Sequence, residues 1–128
     1  MIGRMNKEEA TIYMANVSRL MRVDGEVDTV ERRVYDAIAR SVRADYFEKK
    51  AAEQAATADD FEFQLVSRWS DRIRNLEDML FMGFCNDKLE PSERSVVLAY
   101  AKLLGISQPQ LQLIRQETHE RYQQFRES

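Results

Sequence analysis

Two short acidic segments hold the side chains best suited to chemistry. The first is Asp24-Gly25-Glu26-Val27-Asp28-Thr29-Val30-Glu31 and the second is Asn86-Asp87-Lys88-Leu89-Glu90-Pro91-Ser92-Glu93. Hard cations such as calcium, magnesium and manganese take carboxylate oxygens as ligands. If the two segments meet, Asp24, Asp28 and Glu31 would face Asp87, Glu90 and Glu93. A divalent cation between them would relieve their mutual repulsion.

Helix capping accounts for much of the same pattern. Asp28 followed three residues later by Glu31 has the form of a capping box, and Glu90 with Glu93 repeats the spacing. Pro91 falls at a first helical position, where its missing N–H costs nothing. Carboxylates there also meet the positive end of the helix dipole, worth about 0.3–1 kcal/mol each. Capping leaves Asp24 and Asp87 unassigned, so both readings stand. Neither segment is an EF-hand, because each is too short and lacks the alternating ligands.

Other reactive types are sparse. Cys85 and His119 are the single members of their kinds, too few for a zinc site. Cys85 lies in an apolar run and reads as a small core residue, whereas a reactive thiol needs an accessible, electropositive setting. No catalytic residue is assigned and no enzyme is expected. Arg32, Arg33, Arg40 and Arg43, and then Arg68, Arg72 and Arg74, read as solvated faces. The alternative is a basic stripe for an acidic partner or nucleic acid, blunted by Glu31, Asp36 and Asp71. Tyr46, Phe47, Phe61, Phe63 and Trp69 read mainly as core, with a docking patch for a protein partner as the alternative.

The elements that position these residues are helices. Only 4 Gly and 2 Pro in 128 residues leave little turn material, which disfavours sandwiches and barrels. Apolar residues recur at helical spacing over 7–23, with Gly25 as the stop. A second helix over 28–42 carries the stripe Val30, Val34, Ile38 and Val42. Good helix formers fill 45–56, and Asp59-Asp60 would cap a short helix over 61–69. The segment 71–85 is apolar on nearly every side, as a central helix would be. One helix follows from Pro91 to the stop at Gly105, and Ser107 caps a last one with Leu111, Ile114, Tyr122 and Phe125 on one side. The expectation is one all-α bundle of about six or seven helices.

Net charge −3 counts against broad nucleic-acid binding. A single cysteine excludes an internal disulfide and fits a reducing compartment. No apolar stretch nears the about 18 residues of a membrane span, and the first residues lack a signal-peptide core, so a cytoplasmic location is expected.

A shift of 62 positions aligns the two acidic segments and their flanks. Val27 falls on Leu89, Glu31-Arg32 on Glu93-Arg94, Val34 on Val96 and Ala39 on Ala101; upstream, Leu20 falls on Met82 and Val23 on Cys85. The repeat halves are 7–43 and 70–105, with linking helices over 45–69 and a C-terminal helix over 107–126. Together with Ala101-Lys102-Leu103-Leu104-Gly105-Ile106-Ser107, the paired segments resemble the TerB-like family of tellurite-resistance-associated proteins, which includes the N-terminal cytoplasmic region of DjlA-type co-chaperones. Asn86-Asp87 departs from that family's Asp-Gly in the second copy, and 43–69 carries little of the likeness. The resemblance implies a helical bundle with acids gathered near two turns. It also implies a stress association, a divalent cation at those acids and no enzymatic activity.

Overall fold

The computed structural model describes residues 5–23, 25, 27–86 and 89–127, the side chain of Asn86 excepted. Among the described residues six α-helices form: α1 (Lys7–Met21), α2 (Thr29–Ser41), α3 (Tyr46–Ala56), α4 (Trp69–Gly83), α5 (Pro91–Leu104) and α6 (Gln108–Glu127), with a 3₁₀ turn at Phe84–Asn86 after α4. Among the described residues there is no strand. Side chains close most helix starts, where backbone N–H groups have no partner in the helix. Asn6 Oδ1 accepts from the Glu9 N–H at 2.8 Å to start α1. Asp45 and Glu48 make a capping box for α3. Ser107 and Gln110 bond each other reciprocally at the start of α6. Gly105, at φ 78°, takes the left-handed conformation that ends α5.

The repeat is a three-helix unit used twice. α4 begins and ends 62 residues after α1, and α5 and α6 begin 62 residues after α2 and α3. Burial repeats at the same interval. Met14, Val17 and Leu20 on α1 match Leu76, Met79 and Met82 on α4, and all six are fully buried. Tyr35, Ile38 and Ala39 on α2 match Val97, Tyr100 and Ala101 on α5, again all buried. Neither unit can hide α1 or α4 alone, so these two helices pack against each other at the centre.

The middle segment departs from the sequence reading. No helix forms over 61–69; residues 61–66 run as an extended strap, and Trp69 opens α4. Phe61, Phe63 and Leu65 face inward while Glu62 and Gln64 face water, which is the period of two of an extended chain. Phe63 meets Tyr100 edge-on at 5.6 Å, and Arg19 lies over the Phe61 ring at 5.2 Å. Val30, placed in the buried stripe of α2, is exposed; Tyr35 takes its place beside Val34, Ile38 and Val42.

A buried polar cluster ties the halves. Asn16 Nδ2 donates to Asn75 Oδ1 at 2.8 Å and to the strap carbonyl of Gln64 at 3.0 Å. Asn75 Nδ2 donates to the Tyr13 carbonyl at 3.2 Å, and the Tyr100 hydroxyl donates to Asn75 Oδ1 at 3.3 Å. Asn75→Ala would strand Asn16 and Tyr100 without that acceptor. We expect a loss of about 2–3 kcal/mol in urea unfolding, with an unchanged denaturant slope.

Candidate functional site

The two acidic turns are shaped by their caps. Asp28 Oδ1 accepts from the Glu31 N–H at 2.7 Å, and the Asp28 N–H donates back to Glu31 Oε1 at 3.1 Å. In the second turn the Glu90 N–H donates to Glu93 Oε1 at 2.9 Å. These backward bonds fold each glutamate under its helix start. Glu31 is 2% exposed and Glu93 0%, while Asp28 stays in water and Glu90 is half-buried.

Cys85 shows how the turns lie. Its thiol donates to the Phe81 carbonyl at 3.6 Å at the end of α4. Burial first, and then the negative charges of Glu31, Asp28 and Glu93, push this thiol up to about 12. Carboxylates from both halves therefore share the surroundings of one side chain. Gly83 lets the second turn lie close on α4: a Cβ there would stand 2.3 Å from Leu89 Cδ1.

Of the six expected ligands, Asp28, Glu31, Glu90 and Glu93 are described, and Asp24 and Asp87 lie outside the described residues. Among the described residues no group of three or more His, Cys, Asp and Glu is close enough to hold a metal ion. A full coordination sphere needs oxygens beyond those described.

The other candidates sort differently. His119 tilts against Phe84, ring centres 4.8 Å apart, and the thiol of Cys85 is held in its neutral form. Tyr46, Phe47 and Trp69 are exposed by 63%, 76% and 52%, against the expectation of core; Phe61 and Phe63 are half-buried in the strap. The reason is position. Tyr46, Phe47 and Trp69 open α3 and α4, at an end of the bundle where Glu9 also reaches from α1 to accept the Ser67 N–H at 2.7 Å. Several arginines are structural. Burial pushes the Glu53 carboxyl up, but Arg32 at 2.6 Å and Arg22 at 3.1 Å outweigh it and hold it low. Arg72 Nε donates to the Val66 carbonyl at 2.6 Å, and Arg74 reaches Ser41 Oγ at 2.9 Å.

Two features escaped the sequence reading. Glu31 was legible as a cap but not as a buried group, although it stands on the stripe that continues through Tyr35, Ile38 and Val42. The partly buried hydrogen bond from the Tyr13 hydroxyl to Asp78 Oδ2 joins residues 65 apart and leaves no local signal.

No protein-family model matches the chain, and neither a curated protein nor a solved structure matches it. No described helix is long and apolar enough to cross a membrane.

The raised thiol fixes the sign of one pH effect. In the unfolded chain Cys85 ionises near the ordinary thiol value of 9.0, and in the folded protein its pKa is pushed up to about 12. Its contribution is therefore full below pH 9 and lost as pH rises toward 12. Urea unfolding should show wild type losing stability relative to Cys85→Ala between these limits, and no relative change from pH 6 to 8.

Proposed function

We propose that this chain is a non-enzymatic, TerB-like binding domain that takes a divalent cation where its two acidic turns meet. One observation carries the reading: Glu31 and Glu93, which close the two acidic turns, one in each half, are both buried. Hard cations take carboxylate oxygens of this kind, and here both halves of the molecule supply them. Calcium, magnesium or manganese would serve, with Asp28 and Glu90 adding oxygens at the mouth and Asp24 and Asp87 completing the set. Bound there, the cation would fix one hairpin against the other. A stress-associated role follows only from the resemblance, and a cytoplasmic location only from the sequence, which has no apolar stretch long enough to span a membrane.

A second reading, a metal-independent protein-interaction module, is favoured by the exposed Tyr46, Phe47 and Trp69. Their solvent-facing rings form a surface a protein partner would cover.

Glutamine at both positions separates the roles, since it still caps but carries no charge. Chelator-treated protein should gain about 2.7 kcal/mol from the right cation at about 100 times its dissociation constant. That raises the unfolding midpoint by about 5 °C or more. Glu31→Gln with Glu93→Gln should fold and lose the gain. An equal gain in the double variant, or no gain with calcium, magnesium or manganese, overturns the cation site and leaves the aromatic surface as the stronger reading.

A further inference from the structure

A groove of about 440 Å³ lies over α4 between α2 and α6. Its walls are apolar, with Ile38 from α2, Phe81 from α4 and Phe125 from α6. Its rim is cationic: Arg33 and Arg40 stand on one side and Arg121 on the other. Arg33 and Arg40 are exposed and make no ion pair among the described residues. This basic rim is notable in a chain of net charge −3.

The repeat indicates what such a groove holds. In the first half the corresponding place is filled by the strap. Phe61 lies under Arg19, Phe63 meets Tyr100, and Asn16 bonds the Gln64 carbonyl. At the interval of 62, Arg19 corresponds to Phe81, Tyr100 to Ile38 and Asn16 to Asp78, and all three counterparts line the open groove. The second half has no strap, because α6 continues as a helix where the first half becomes extended. From α6 it returns Phe125, the counterpart of Phe63, to the groove wall, with Arg121 at the rim. The floor has also changed. Asn16 donates to a strap carbonyl, whereas its counterpart Asp78 pairs through Oδ1 with Arg121 at 3.9 Å.

We propose that this groove binds an extended acidic segment of a partner protein, with apolar side chains at alternate positions, in the manner of the chain's own strap. The strap is the template: Asp59-Asp60-Phe61-Glu62-Phe63 sets acids beside alternating aromatics. Alternate side chains of an extended peptide point to opposite sides, so its rings would enter the apolar walls while its acids meet Arg33, Arg40 and Arg121. The apolar lining favours a peptide over a nucleic-acid backbone, whose recognition rests on phosphate contacts.

The test uses the full chain and a synthetic peptide, Ala58-Asp59-Asp60-Phe61-Glu62-Phe63-Gln64-Leu65-Val66. NMR titration should show saturable shifts at Ile38, Phe81 and Phe125. Affinity should fall about tenfold or more in Arg33→Glu with Arg40→Glu, and fall with added salt in wild type. A scrambled peptide of the same composition should bind far more weakly. Three results overturn the proposal: no saturable binding, equal binding by the scrambled peptide, or shifts confined to Asn16 and Tyr100. The last would mean that the peptide merely replaces the strap in its own place. Tighter binding by a single-stranded oligonucleotide than by the peptide would also overturn it, as a phosphate site.

Discussion

The contact between α1 and α4 holds the molecule together, and the hydrogen bond from Asn16 to Asn75 fixes its register. Each helix is the centre of its own three-helix unit. Each has apolar residues on more sides than its own unit can cover, so the two must face each other. An apolar interface alone would allow the helices to slide. The asparagine pair, with Tyr100 and the Tyr13 carbonyl, is satisfied at one alignment only, and a slip of one residue would leave buried polar groups without partners. The acidic turns follow the first helix of each unit, so this register also decides where Glu31 and Glu93 lie.

The two halves then diverge in their third helices. α3 packs through Ala52 and Ala56 and lies closely along α1. Their counterparts on α6 are Ile114 and Thr118, which are bulkier, and α6 packs less extensively on α4. The chain also leaves the helix after Ala56 but runs on to Glu127 in the second half. One repeated unit thus closes over its central helix in the first half and leaves a groove over it in the second.

Much of this was legible. The period of 3.6, Gly105, Pro91 and the paired Asp28/Glu31 and Glu90/Glu93 spacings placed the helices and their starts, because these signals are local. The repeat was legible as two helix pairs; its third members, α3 and α6, share too little side-chain identity to align by eye. The strap was misread because Asp59-Asp60 resembles a helix cap, although the alternation Phe61, Phe63, Leu65 carried the period of two. The burial of Glu31 and Glu93, the Tyr13–Asp78 bond and the exposure of Trp69 depend on which surfaces meet across the bundle. Residue types and short spacings do not contain that information.

Native-state hydrogen exchange tests the account most directly, because it asks whether the halves form one cooperative unit. Amides of α1 and α4 should share the highest protection, open with the same free energy and show the same dependence on denaturant. An opening that exposes α4, α5 and α6 while α1, α2 and α3 stay protected would contradict it. The halves would then be separable, and the asparagine pair would not govern their register.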